Sequence, residues 1–211
     1  MALNGREIQK LRTQCNKLDD GPDYRVNDYV PNLLNTVLDF QMNSDVVNSA
    51  INYYEYTHGF RTHKKLKEIL ARFPNTKNGN LRLANFLWNN NHWSRAKFLR
   101  KIISAFEERG IKGQKSLKKW VRQADFEIDV KGQFITKEHS IGYALFHWLR
   151  LRLGVDTVKP DVHIMNYVSA TIGRKVSPEE AVAGLLEVAK QTKRKAARLD
   201  AAIWHYQKEN T

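Results

Sequence analysis

The sequence SIGYALFHWLRLRLGVDTVKPDVHIMNYV, residues 140–168, joins two apolar segments through a short polar loop. Apolar residues recur in each segment at three- and four-residue spacing, which predicts two helices. Gly154 is placed as a helix stop, and Asp161 follows Pro160 at the start of the second helix. An aspartate at that position is a favoured helix N-cap, and it can also supply a fixed carboxylate for chemistry. The residues alone leave both roles of Asp161 open.

Helical spacing continues along most of the chain, and few segments alternate with period two. The sequence therefore predicts an all-α protein of short helices with tight joints. Residues 123–141 are the least regular segment and are expected to hold a loop or a short hairpin. The sequence SPEE predicts a helix start with Ser177 as N-cap, Pro178 at the first helical position and Glu180 as the capping-box partner.

The composition excludes several classes of protein and site. A single cysteine, Cys15, excludes an intramolecular disulfide and a four-cysteine zinc or iron–sulfur site. The apolar runs are far shorter than the roughly 20 residues that a membrane-spanning helix needs. The N-terminal residues lack the pattern of a signal peptide or a transit peptide. We therefore expect a cytoplasmic protein with no membrane partner.

The net charge of +13 is spread unevenly. Residues 1–60 carry 5 Lys/Arg against 8 Asp/Glu, which leaves 30 against 14 for residues 61–211. In the densest stretch, residues 95–122, Glu107 and Glu108 are the only acidic residues. Its basic residues are Arg95, Lys97, Arg100, Lys101, Arg109, Lys112, Lys115, Lys118, Lys119 and Arg122. Such a concentration of positive charge favours the binding of a polyanion, nucleic acid above all, although a solvated basic surface explains it as well.

The segment 140–168 resembles the core of the helix-hairpin-helix (HhH-GPD) DNA glycosylase superfamily, which has a hairpin and a Gly/Pro-rich loop followed by an aspartate. The matching residues are Ile141, Gly142, Val158, Pro160, Asp161 and His163. Three more segments resemble the family in the same order. They are NLLNTVLDFQMNSDVVNSAINYY at 32–54, WSRAKFLRKI at 93–102 and ARLDAAIWHYQ at 197–207. The resemblance covers about residues 29–208, and the shared order of individually weak motifs carries it.

This resemblance implies two helical lobes with the active-site cleft between them. Residues 29–157 would form a six-helix lobe that contains the helix-hairpin-helix-like element. Residues 1–28 together with 158–211 would form the second lobe, which carries Asp161. The implied partner is double-stranded DNA, bound by a monomer that acts at the nucleoid.

The resemblance also implies the chemistry. A carboxylate at Asp161 would stabilise the positive charge that develops on the deoxyribose as the N-glycosidic bond breaks. Many members carry a nucleophilic lysine two residues after the hairpin glycine, where this chain has Ala144. The chain therefore resembles a monofunctional member, without strand-cleaving lyase activity and without an iron–sulfur cluster. No metal or organic cofactor is implied, apart from a monovalent cation that family hairpins often hold.

Further site residues follow from the same comparison. A base must leave the stack to be cleaved, and Gln41, at the position of the family's glutamine, is the candidate to fill the gap. The full set expected to contact the base or intercalate is Gln41, Tyr29, Trp88, Trp93, His147 and His163. The set expected at the DNA backbone is Ser140, Ile141, Gly142, Arg95, Lys97, Lys193, Arg194 and Lys195. Gln41 is equally explained as an ordinary exposed residue, and His163 as a core histidine. Trp148 and Trp204 are expected in the core.

The resulting hypothesis is a monofunctional DNA N-glycosylase that flips a damaged, mispaired or modified base and hydrolyses its bond with Asp161. Two alternatives remain open. One is a glycosylase-like enzyme for hypermodified phage DNA bases, suggested by the atypical hairpin, with Ser140 where a glycine is usual, and by residues 123–141. The other is a non-catalytic DNA-binding module of the same fold.

Overall fold

The computed structural model describes residues 2–210, which form eleven α-helices and one π-helical turn. The α-helices are α1 Gly5–Cys15, α2 Tyr29–Leu38, α3 Ser44–Thr57, α4 His63–Ala71, α5 Lys77–Trp88, α6 Trp93–Glu108, α7 Gln114–Gln123, α8 Tyr143–Arg152, α9 Val162–Ile172, α10 Pro178–Thr192 and α11 Ala196–Glu209. The π-helical turn is Phe126–Val130. Within residues 2–210 there is no β-strand, only an isolated bridge between Ile135 and Ser140. The predicted all-α class is confirmed.

The chain forms two compact units. One is Val26–Leu145, and the other combines the residues up to Arg25 with those from Phe146 onward. The first boundary lies close to the expected one between residues 28 and 29. The second lies inside α8, whereas the sequence placed it after residue 157.

In the unit Val26–Leu145, α6 is the central element and packs against α2 and α5. Every residue of α2 is buried, including the polar residues Asn32, Asn35 and Thr36. A second cluster joins α6 to α7 and to the segment that follows it, where the rings of Phe106, Trp120 and Phe134 meet edge to face with centroids 5.2 to 5.9 Å apart.

In the other unit, α9 packs against α1 and α11, and α10 packs against α1. Its core includes Leu11, Val168, Leu185, Leu199 and Ile203, all nearly inaccessible to solvent. The α10 start has the predicted capping box. Ser177 Oγ accepts the N–H of Glu180 at 3.2 Å, and the Glu180 carboxylate accepts the N–H of Ser177 at 2.9 Å.

Residues 124–142 connect α7 to α8 through the π-helical turn and the isolated bridge. Asp125 caps the turn by accepting the N–H groups of Glu127 and Ile128. Phe134 and Ile141 are buried, so the segment is folded onto its own unit. The short hairpin expected in this segment is thus reduced to one bridge pair.

No helix within residues 2–210 is both long enough and apolar enough to cross a bilayer.

Candidate functional site

Asp161 is the N-cap of α9, as its position after Pro160 predicts. Its Oδ1 accepts the main-chain N–H groups of His163 at 3.1 Å and Ile164 at 3.2 Å. The side chain keeps 17% of its surface exposed, and its Oδ2 lies 3.6 Å from the ammonium of Lys159. Capping therefore uses one oxygen and orients the carboxylate, while the group remains accessible to solvent.

Lys159 connects Asp161 to a second carboxyl group. Its ammonium lies 4.8 Å from the ring centroid of Trp148, in a cation–π contact. Its main-chain N–H donates to Oδ1 of Asp200 at 2.6 Å. One lysine thus contacts Asp161 through its side chain and Asp200 through its backbone. Sequence reasoning missed this lysine, because nothing near it in the chain indicates either contact.

Asp200 lies on α11 and is only 3% exposed. Burial raises the pKa of Asp200 well above its usual value, and the nearby charge of Asp161 raises it further. The N–H of Lys159 and its positive charge act in the opposite direction. The sequence carried a signal for this group, since Asp200 stands between the apolar residues Leu199 and Ala201 in ARLDAAIWHYQ, on a helix whose inner face is apolar.

Two aromatic residues lie beside this pair of carboxyl groups. The ring of Tyr24 meets Trp148 edge to face with centroids 5.2 Å apart. Burial raises the pKa of Tyr24, and the charges of Asp200 and Asp161 raise it further, so the phenol stays protonated. Trp148, expected in the core, is only half-buried. The same correction applies to Trp204, which is half-buried.

The loop that carries Asp161 is anchored by residues on α8 and α11. His147 Nδ1 lies 2.8 Å from Thr157 Oγ1, and His147 is 4% exposed. Burial, followed by the positive charge of Arg150, lowers the pKa of His147 to about 4. The main-chain N–H of Ala197, at the start of α11, donates to Asp156 at 3.1 Å. His147, expected to contact a base, is instead a neutral interior residue that supports the loop.

The other residues expected to contact a base fall into two groups. His163 is half-buried beside Asp161, with its ring 5.8 Å from the Trp204 ring. The remaining four belong to the unit Val26–Leu145. They are Gln41, Tyr29, Trp88 and Trp93.

Tyr29 and Trp88 are each 2% exposed, so the structure places them in the core. Their large rings fill space between helices, and a base cannot reach such positions without repacking. Trp93 is half-buried, and the ammonium groups of Lys77 and Lys97 lie 5.5 and 5.9 Å from its ring centroid. Gln41 is exposed in a turn and adopts the left-handed conformation with φ of 49°.

Arg95, expected at the DNA backbone, is 7% exposed. Its guanidinium donates to the main-chain carbonyl groups of Val37, Leu38 and Phe40 at 2.8, 3.1 and 2.5 Å. The carbonyls of Val37 and Leu38 are among those that the end of α2 leaves without helical partners, and Phe40 lies just beyond the helix. Arg95 therefore caps α2 and does not present its charge to a phosphate.

Arg194 has a similar structural role, since it donates to Cys15 O at 2.8 Å and to Asp20 at 2.7 Å. Lys97 pairs with Glu138 at 3.2 Å. Lys193 and Lys195 are exposed at the end of α10 and the start of α11, and neither forms an ion pair within residues 2–210. Among the lysines of the expected backbone set, these two are exposed and unpaired within residues 2–210, whereas Lys97 is paired.

The residues expected to form the DNA-binding hairpin, Ser140, Ile141 and Gly142, differ in whether the protein already uses their backbone groups. Ser140 forms the bridge with Ile135, and the N–H of Ile141 donates to Phe134 O at 3.1 Å. The Ile141 amide is therefore used inside the protein and cannot donate to a phosphate. Gly142 is half-exposed immediately before α8, with open space where a Cβ would stand.

Metal-ligating side chains do not cluster in the described part of the chain. No group of three or more His, Cys, Asp or Glu residues is arranged to hold a metal ion among residues 2–210. The pair Asp161 and Asp200 is bridged by Lys159 instead.

A family model described as "Domain of unknown function (DUF8548)" matches residues 22–208, which include every residue around Asp161 described above. No curated protein and no solved structure matches the sequence.

Proposed function

We propose that this chain, which belongs to the DUF8548 family, is a monofunctional DNA N-glycosylase. It would extrude a damaged, mispaired or modified base from double-stranded DNA and hydrolyse its N-glycosidic bond. The observation that carries this proposal is the carboxylate of Asp161, which is 17% exposed and oriented by two N–H groups at the start of α9.

This arrangement suits glycosidic hydrolysis. As the bond breaks, positive charge develops on the deoxyribose ring, and a carboxylate beside C1′ stabilises that state more than the neutral ground state. The N–H bonds from His163 and Ile164 to Oδ1 hold the carboxylate in one orientation. The carboxylate can also accept a proton from the attacking water. One preorganised group thus serves both parts of the reaction.

The environment of Lys159 supports hydrolysis rather than a lysine nucleophile. A nucleophilic lysine must be neutral, whereas the ammonium of Lys159 lies 3.6 Å from a carboxylate and 4.8 Å from the Trp148 ring centroid. Both contacts favour the charged form. Ala144 stands at the position where the bifunctional relatives of the resembled family carry lysine. The proposed products are a free base and an intact strand with an abasic site.

The test is a base-release assay on duplexes that contain uracil, mismatches, alkylated, oxidised and hypermodified bases, followed by hot alkali to cleave abasic sites. Asp161→Asn keeps a side-chain oxygen for the cap and removes the charge, so release should fall about 100-fold or more. Asp125→Asn is the matched control. Asp125 caps the π-helical turn with the same geometry, accepting two N–H groups at 2.8 and 3.1 Å.

The outcomes separate the alternatives. Full base release by Asp161→Asn would show that the proposed mechanism is wrong. Release of hypermodified bases alone would assign the chain to modified phage DNA instead of ordinary damage. Duplex binding with no abasic product from any substrate would identify a non-catalytic DNA-binding module.

A further inference from the structure

The structure divides the basic stretch 95–122 into cations with internal partners and cations without them. Arg95 and Arg100 donate to main-chain carbonyl groups at helix ends. Lys97 pairs with Glu138 at 3.2 Å. Arg109 donates to Ala105 O at 2.8 Å and lies over a phenylalanine ring. The charge density visible in the sequence is therefore partly used inside the protein.

The cations on α7 differ from these. We call Lys115, Lys118, Lys119 and Arg122 the α7 basic face. None of the four forms an ion pair or a side-chain hydrogen bond in the chain from residue 2 to residue 210. Lys115, Lys119 and Arg122 are exposed, and Lys118 is half-buried. At 100° per residue they fall within an arc of roughly 100° on the helix. The helix carries no acidic residue. Its outward charge is therefore uncompensated by its own side chains.

The nearest acidic residues along the chain are engaged elsewhere. Asp125 accepts the N–H groups of Glu127 and Ile128, and Asp129 accepts the N–H of Asp125 at 2.7 Å. Glu127 pairs with Lys131 at 2.7 Å. These carboxylates stabilise the π-helical turn rather than the α7 basic face.

The opposite side of α7 is already packed. Leu117 and Val121 are fully buried, and the Trp120 ring meets Phe106 and Phe134 edge to face at 5.2 and 5.9 Å. An amphipathic helix that lies in a membrane interface inserts its apolar side into lipid. On α7 that side belongs to the protein core, so only the charged side can meet a partner. The chemistry of the partner is therefore that of a polyanion.

The α7 basic face lowers the stability of the helix that carries it. Like charges at spacings of three and four residues, as in Lys115 with Lys119 and Lys118 with Arg122, cost about 0.2 to 0.5 kcal/mol per pair. A cation at Lys115, in the first turn, also opposes the helix dipole. Folding does not account for these charges, whereas a ligand of opposite charge does.

We infer that the α7 basic face binds the phosphate backbone of double-stranded DNA. From Lys115 through Lys119 to Arg122 the helix rises about 10 Å, a distance over which a duplex presents about six phosphate charges. The face is therefore long enough to meet several phosphates without any contact to base edges. The inference rests on the proposed function for the choice of DNA as the polyanion.

The experiment measures the binding of fluorescent 20-base-pair duplexes of two unrelated sequences between 50 and 200 mM salt. The test variant is Lys115→Gln with Lys119→Gln and Arg122→Gln. The control variant, Lys10→Gln with Lys64→Gln and Lys175→Gln, removes the same net charge from exposed lysines that form no ion pair within residues 2–210. Thermal unfolding of both variants checks that they fold.

The α7 variant should bind both duplexes about tenfold or more weakly at 100 mM salt. The slope of log K against log salt should become shallower by 2 to 3, because about 0.9 counterion is released per phosphate contact. Its melting temperature should equal or exceed that of the wild type, because like-charge pairs are removed. The control should keep most of the affinity and the slope. Equal slopes for the two variants would overturn the inference, as would α7-dependent binding to phosphatidylserine vesicles with none to duplexes.

Failure of this inference is distinguishable from failure of the proposed function. If the protein binds duplexes through α7 but releases no base, the inference is supported and the glycosylase proposal is wrong. If the protein releases a base in an Asp161-dependent way while its α7 variant has the wild-type salt slope, the proposed function is supported and the inference is wrong.

Discussion

Lys159 holds its ammonium 3.6 Å from the carboxylate of Asp161, and the two side chains are only 16% and 17% exposed. An ion pair that is largely removed from water is stronger than a surface pair but leaves a costly charge behind when one partner is removed. The main-chain N–H of Lys159 is also used, since it donates to Asp200. Lys159 is thus both the counter-charge of Asp161 and a structural link to Asp200. It is also the amine beside Asp161 that would have to act as the nucleophile if the enzyme were a lyase.

The first prediction concerns this amine. Borohydride reduction of the wild-type protein mixed with an abasic-site duplex should give no covalent complex, because the Lys159 ammonium pairs with Asp161 and lies over the Trp148 ring, and both contacts oppose the neutral amine that a nucleophile requires. A gel-shift assay under denaturing conditions measures the complex. Lys208, whose ammonium lies 5.2 Å from the Trp204 ring centroid, offers the control variant Lys208→Met. A complex that Lys159→Met abolishes and Lys208→Met retains would establish a lyase and contradict the monofunctional proposal.

The second prediction concerns Asp200. Its pKa in the folded protein is raised above the unfolded value of 3.8, so its contribution to stability is lost as pH rises from about 4 through the folded pKa. Asp200→Asn removes this penalty and keeps an oxygen to accept the Lys159 N–H. The free energy of unfolding of the variant relative to wild type should therefore increase from pH 4 to pH 8 in urea titrations.

The control for Asp200 is Asp156→Asn, which changes an exposed aspartate on the loop before Asp161 that accepts the Ala197 N–H. Its difference from wild type should vary less with pH. A difference for Asp200→Asn that is constant from pH 4 to pH 8 would show that Asp200 is ionised throughout this range in the folded protein.

The third prediction concerns His147. Burial lowers its folded pKa to about 4, while the unfolded value is near 6.5. The unfolded state therefore binds more protons below pH 6.5, and stability is complete above that pH and is lost as pH falls towards 4. The total loss is on the order of 3 kcal/mol. In urea titrations, His147→Gln should lose less stability between pH 6.5 and 4.5 than the wild type.

Because His147 anchors Thr157 on the loop before Asp161, His147→Gln should also lower base release at pH 7.5. His205→Gln, at an exposed histidine, should change neither property. If the wild type and His147→Gln respond to pH in parallel, the histidine is not held neutral by burial.

The fourth prediction concerns Arg95. Its guanidinium donates to three main-chain carbonyl groups, two at the end of α2 and one just beyond it, and loss of the side chain leaves those acceptors without this donor. Arg95→Met should lower the free energy of unfolding by about 2 to 4 kcal/mol in urea titrations. Lys97→Met, which removes a more exposed ion pair, should cost no more than about 1 kcal/mol. Equal losses for the two variants would contradict the capping role of Arg95.

Much of the fold follows from residues close together in the chain. The capping box of Ser177 and Glu180 and the N-cap at Asp161 were predictable because each depends on partners within three positions. The helical class followed from apolar spacing. The irregular segment 123–141 was recognised as irregular, but the π-helical turn was not, since no local residue pattern specifies it.

Which side chains surround these residues in the folded protein depends on residues far away in the sequence. Arg95 and Lys97 look alike in the sequence, yet one caps α2 from the interior and the other pairs with Glu138 near the surface. The contact between Lys159 and Asp200 joins residues that are 41 positions apart. Local sequence cannot indicate such a contact, because it depends on which helix faces pack together.

The sequence by itself determined the helices, their caps and the position of the carboxylate Asp161. The tertiary structure decided what surrounds that carboxylate, which histidine is buried and which cations remain unpaired. The physical reason is the separation along the chain of the residues that interact. Hydrogen bonds of helices and caps link near neighbours in the chain, whereas desolvation and charge pairing depend on side chains that packing brings together from distant positions.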